Sequence, residues 1–88
     1  MNSFDQFYDL AQLDDDSVRR LLGEVLISDS FVALRDSENP GTRVMFCNMS
    51  DDVRNIVQED IAAREGVEMH QIQEAQGRIL EFARLPGR

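Results

Sequence analysis

Tryptophan is absent from the sequence, tyrosine occurs once, and aromatic residues make up only 7%. The core must therefore be mostly aliphatic, with Met and some Phe. Cysteine also occurs once, as Cys47. That rules out an intramolecular disulfide and fits a reducing compartment. With one histidine and one cysteine, no ligand pair has metal-site spacing, and neither a metal nor another cofactor is expected. The glycines are single and scattered, so no Gly-rich loop cradles phosphate. The N-terminus lacks a basic segment followed by an apolar run, the mark of a secretory signal. No apolar stretch approaches the roughly 20 residues of a membrane span. The sequence reads as soluble and cytoplasmic, without membrane insertion. Basic residues are outnumbered, 9 Lys and Arg against 17 Asp and Glu, for a formal net charge of -8. Nucleic acid is not expected as a partner, because phosphate binding needs concentrated Lys and Arg. A basic partner, or a basic patch on a larger one, suits this charge.

What is present is helical periodicity. The 88 residues are enough for one domain with one core. No stretch alternates at period two for long enough to make a strand, and repeats are absent. The opening segment FDQFYDLAQL offers a short helix or an extended lead-in. In DDDS the acids favour a helix N-terminus and Asp or Ser can cap it. The helix that follows carries Val18, Leu21, Leu22 and Val25 on one stripe. Ser28 or Asp29 can cap a short helix bearing Phe31, Val32 and Leu34. Asn39-Pro40 marks another start, because Pro is tolerated at the first helical position. Met45, Phe46 and Met49 supply that helix's apolar side. Ser50 caps the next helix, with Asp51 and Asp52 in its first turn, and Gly66 ends it. The last helix spans about His70 to Arg84 with Ile72, Ala75, Ile79, Leu80 and Ala83 inward. Short connections predict that consecutive helices pack on one another.

The helix after Ser50 holds two adjacent carboxylates, Glu59 and Asp60, and phasing separates them. At about 100° per residue, with Val53 at zero, Ile56, Val57 and Ile61 fall within about 80°. These define the expected buried arc, and Met49, Ile56, Ile61 and Ile79 are expected to share one centre. Glu59 at about 240° and Asp52 at about 260° face outward, whereas Asp60 at about 340° lies in the apolar arc. A carboxylate there needs hydrogen bonds or a cation. The candidates are the amides around Glu68 to His70, or Arg64 one turn on. Asp60 is thus expected to be structural and Glu59 solvated. Gln76, about 40° from Ile72, is expected to be half-buried and bonded to backbone.

Catalytic arrangements are not visible. Cys47 lies roughly opposite Met45 and Met49 with no base nearby, so nucleophilic catalysis is not expected. His70 at a helix start reads as a surface residue. Asp14 and Asp15 read as a capping run, and nothing builds a cleft around them. No enzyme is read in this chain.

The order of its motifs resembles a known family. Asn48-Met49-Ser50 stands for the family's N-M-S, and Glu59-Asp60-Ile61 for its two acids and apolar residue. Gly66-Val67-Glu68 stands for a G-P-V-R turn, and Ile72-Gln73-Glu74-Ala75-Gln76 for V-E-E-A-Q. Upstream, LDDDSVRRLLGEV is similar to DDRSIQ-LL-EV, and FVALR to L-ALKG. The chain resembles the C-terminal, torque-generating domain of FliG, the flagellar motor switch protein, over nearly its whole length. The resemblance implies an all-α compact bundle of five to six short helices in a single domain. Residues 1–12 would be a lead-in resembling the family's hinge, and residues 13–85 the bundle. It implies a charged face that meets the cytoplasmic loop of a membrane stator. By position Arg35 keeps the family's basic sign, and Glu59 and Asp60 keep the acidic pair. Asp52 and Glu68 fall where the family has bases, so both signs are reversed and the ridge becomes nearly all acidic. Phe4 and Phe7 of FDQF occupy the place of the family's M-F-x-F hinge and are expected to offer a second, apolar contact.

Two functions are expected from these features. One is a rotor component at the cytoplasmic face of the flagellar basal body, exchanging charge with a stator or other switch proteins through Arg35, Asp52, Glu59, Asp60 and Glu68. The other is a non-motor interaction module that keeps the fold and docks through the acidic ridge or the Phe4 and Phe7 segment. Exposed Phe residues near the N-terminus would let chains pair, so an oligomer stays open. The family's preceding armadillo-like domains are not in this sequence. The chain is expected to be either an excised piece or a short FliG-like protein, with Met1 favouring the latter.

Overall fold

The computed structural model describes residues 6–84, and all regular structure among them is helical. A 3₁₀ helix, Phe7–Gln12, leads into α1 (Asp15–Leu22), α2 (Ile27–Ala33), α3 (Pro40–Cys47), α4 (Asp51–Ala63) and α5 (Met69–Arg84). Local chemistry sets most of the starts. The Asp14 carboxylate accepts the Ser17 amide at 2.9 Å and caps α1. Hydrogen bonds from the Ser17 side chain and backbone hold the Asp14 carboxyl below its ordinary value. The Asn39 side chain accepts the Gly41 amide, and Pro40 fills the first position of α3. The Ser50 hydroxyl accepts the Val53 amide at 3.3 Å to open α4.

The start of α2 departs from expectation. It begins at Ile27 behind Leu26, with no side-chain cap. Asp29 is buried, and its carboxylate accepts the Arg78 Nε–H of α5 at 2.9 Å. A buried carboxylate needs a cation more than a helix start needs a cap. The end of α4 also differs. The helix stops at Ala63 and Arg64 is its cap. Gly66, at φ +79°, lies in the following loop, where a residue without Cβ takes the left-handed conformation readily.

The core gathers Leu10, Val18, Leu21, Leu34, Met45, Val57 and Ile79, with Met49 at its edge. All five α5 residues expected inward are buried: Ile72, Ala75, Ile79, Leu80 and Ala83. The leading contacts do not join consecutive helices. The 3₁₀ helix packs on α3, and α2 packs on α5 and then on α4. Gly41 is why the first pair fits: a Cβ there would collide with the Phe7 carbonyl. Phe7 and Leu10 are buried core residues. The segment expected as a lead-in is therefore built into the bundle, at least from Phe7 onward. Phe7 offers no exposed ring for pairing chains, and Phe4 lies outside the described residues.

Arginines close two helix ends, where the last carbonyls lack intrahelical partners. Arg54 of α4 donates to Phe46 O (3.1 Å) and Met49 O (3.2 Å) at the end of α3. Arg35, just after α2, donates to Ile61 O (3.2 Å), Arg64 O (3.1 Å) and Asp60 O (3.4 Å) at the end of α4. Gln76 is buried on α5 and donates to Ala33 O and Asp36 Oδ2, both at 3.3 Å. The backbone bond is the one its phase predicts.

Candidate functional site, the outward face of helix α4

Ser50 starts α4 and Arg35 closes it, so its outward side chains stand on a helix pinned at both ends. Asp52 and Glu59 are exposed. A spacing of seven residues places them two turns apart on one face. Among the described residues no ion pair occupies either carboxylate. The side-chain phase expected for Glu59 is the one observed.

Asp60 turns the other way. Its side chain is 23% exposed, and Oδ1 accepts Arg64 Nη2–H at 3.0 Å. Its Oδ2 lies 3.8 Å from Arg35 Nη2. That separation is an electrostatic contact and is too long for a hydrogen bond, consistent with Oδ2 having no hydrogen-bond partner. Of the two donor groups expected for Asp60, Arg64 is the one used. The Glu68 amide donates to the Gln71 side chain instead.

Arg35 was expected on the charged line and is found beneath it. Its side chain is 12% exposed and its guanidinium hydrogens point at α4 carbonyls. Glu68 lies in the loop after α4, exposed, with its carboxylate 3.1 Å from His70 Nδ1. The five charged residues thus separate into a solvated group, Asp52, Glu59 and Glu68, and a supporting pair, Arg35 with Asp60. Phe7 belongs to neither.

The expected buried arc of α4 requires correction. Only Val57 is buried, whereas Val53 is 37% and Ile56 50% exposed. Ile61 is partly buried against the core. The periodicity marks an apolar stripe correctly, but among the described residues no helix covers the stripe's Val53–Ile56 edge. Val53 lines a groove of about 300 Å³ together with Leu22, Val25, Met49 and Val57. Leu26 and Ile27 stand exposed beside it. The apolar triplet Val25-Leu26-Ile27, straddling a helix break, was the available signal for this groove.

Among the described residues no group of three or more His, Cys, Asp or Glu is placed to hold a metal ion. No helix among them is long and apolar enough to cross a membrane. Comparison with known families matches residues 2–85 to the FliG C-terminal domain. The chain belongs to that family. Its all-helical order agrees with that all-α domain. A relative from Pseudomonas aeruginosa, the flagellar motor switch protein FliG, is 32% identical over 78 residues. The match covers 89% of this chain and 23% of that relative, so the FliG domain described here spans about a quarter of its length. No solved structure matches.

Proposed function

We propose that this FliG-type domain acts in a flagellar motor switch or rotor assembly at the cytoplasmic face of the basal body. It makes electrostatic protein–protein contacts there, including torque-transmitting contacts with the stator's cytoplasmic loop. The supporting observation is the pair of exposed carboxylates, Asp52 and Glu59, without an ion-pair partner among the described residues, on a helix fixed at both ends. Glu68 extends the line, and Arg35 and Asp60 hold its geometry from below. The net charge of -8 and the acids at positions 52 and 68 call for a partner that is basic where it meets α4. The Arg35 hydrogen bonds to the last α4 carbonyls support the helix end that a force-bearing contact would load.

The test measures binding of the full chain to the purified stator loop of the same organism. An exposed pair contributes up to about 1 kcal/mol, or roughly fivefold in affinity. Glu59→Lys removes that attraction and adds repulsion, so affinity should fall by roughly fivefold, with weaker binding as salt rises. Binding unchanged by Glu59→Lys and insensitive to salt would sink the electrostatic reading. Full motility after deletion of the protein would favour a non-motor interaction module, to which the acidic sign of Asp52 and Glu68 also lends itself.

A further inference from the structure

The clamp at the end of α4 leaves two polar atoms unused. Among the described residues Arg35 Nε and Asp60 Oδ2 are both buried without a hydrogen-bond partner. Leaving such a group unpaired is costly, and these two are a donor and an acceptor on neighbouring side chains. The Asp60 carboxylate stands between two arginines. On the solvent side Oδ1 accepts Arg64 Nη2–H at 3.0 Å, and the Arg64 side chain is 47% exposed. On the inner side Oδ2 stops 3.8 Å from Arg35 Nη2, and the Arg35 side chain is 12% exposed.

The Arg35 guanidinium is held mainly by one corner. Its Nη1 donates to Ile61 O at 3.2 Å and Arg64 O at 3.1 Å. Nη2 makes only a long bond, 3.4 Å, to Asp60 O, and Nε makes none. Nε and Nη2 form one edge of the planar group, and such an edge matches both oxygens of a carboxylate. Closing the Oδ2–Nη2 gap to a charge-assisted bond of roughly 2.8 Å needs a shift of about 1 Å. Two parallel bonds take both Asp60 oxygens, so Oδ1 must then leave Arg64. We propose that Asp60 is a two-position latch, pairing outward with Arg64, as in the structure, or inward with the Nε–Nη2 edge of Arg35. The inward position satisfies both unused atoms. The outward one is favoured by the i, i+4 spacing of Asp60 and Arg64 and by the lower desolvation of a half-exposed pair. Moving inward frees the Arg64 guanidinium to solvent, while Nη1 keeps its two carbonyls and α4 stays clamped. A ligand shifts such an equilibrium by its differential affinity, so an anionic group that captures Arg64 drives the latch inward. This goes beyond the motor reading and does not depend on it.

The experiment follows the Arg35 Nε–H of the full chain by NMR. Arg64→Ala imitates capture of Arg64 by removing the outward partner. The Nε–H signal should then move downfield, and its exchange with solvent should slow roughly tenfold, as for one charge-assisted hydrogen bond. Adding Asp60→Ala should reverse both changes. Urea unfolding gives a second reading. Arg64→Ala alone should change the unfolding constant no more than about twofold, because Asp60 falls back on Arg35. In an Arg35→Met background Asp60 has no inward partner, and the same change should raise the constant roughly fivefold. Should that background not fold, the Nε–H reading decides alone. An Arg35 signal indifferent to Arg64→Ala would overturn the proposal, and a water bridging the two unused atoms would give that result. Equal effects of Arg64→Ala in both backgrounds would overturn it too. So would a signal change that persists with Asp60→Ala, because the carboxylate would not be its cause. No motor component enters these measurements, so their failure is separable from failure of the stator contact.

Discussion

Asp14 shows how a single side chain reports on its helix. Hydrogen bonds from Ser17 stabilise its charged form and lower its pKa in the folded state. A lowered folded pKa means that the cap's contribution is complete above the unfolded value and is lost as pH falls through the folded one. A carboxyl titration followed by NMR should therefore give Asp14 a midpoint below the ordinary carboxylate value. Ser17→Ala, which removes the side-chain bond and keeps the backbone one, should move it part of the way back. A midpoint that ignores Ser17→Ala would contradict this cap geometry. Capping was legible in the sequence because it is local: Asp14, Asn39 and Ser50 stand directly before their helices. Asp29 was not legible, because its partner Arg78 is 49 residues away. Periodicity says which way a carboxylate points, as it did for Glu59 and Asp60. It does not say which distant arginine will meet it.

Among the helices, α4 carries the most consequence. Its phase was readable, but which part of its stripe would be covered depended on where the other helices ended. That explains why Val57 is buried and Ile56 is not. Its C-terminal end depends on Arg35, whose fork reaches three carbonyls and approaches the Asp60 carboxylate. Replacing Arg35 by Met keeps the aliphatic stem but orphans those acceptors. Urea unfolding should show a loss of about 2 kcal/mol or more, since hydrogen bonds to charged groups contribute about 1.5–3 kcal/mol. Arg35→Lys keeps the charge without the planar fork and should recover less than half of that loss. A loss below about 0.5 kcal/mol for Arg35→Met, the scale of an ordinary surface change, would mean that the clamp contributes little.

For the molecule as a whole, the sequence reading and the structure part company over order of packing. Short connections suggested neighbours in sequence as neighbours in space. Instead the 3₁₀ helix packs on α3 and α2 on α5, because Gly41 and the Asp29–Arg78 and Gln76–Ala33 contacts favour distant pairs. Helix existence, the α5 core face and the family were legible, since each rests on repeated local spacing. The boundary placed after residue 12 was not, because nothing local says that Phe7 will face Gly41. A chain beginning at Leu13 would lose the burial of Phe7 and Leu10, worth about 1.5–3 kcal/mol each. Whole-domain stability is only about 5–15 kcal/mol. Circular dichroism on heating should show that this shortened chain has lost its cooperative transition, and an unchanged melting temperature would mean that the bundle folds without the segment.

The arginine under α4 has one more consequence. Arg35 follows directly on α2, and α2 is fastened to α5 by Asp29–Arg78 and by Gln76 on the Ala33 carbonyl. Under the proposed stator contact, a sideways load on the acidic face of α4 would be passed by that guanidinium to α2 and from there to the longest helix.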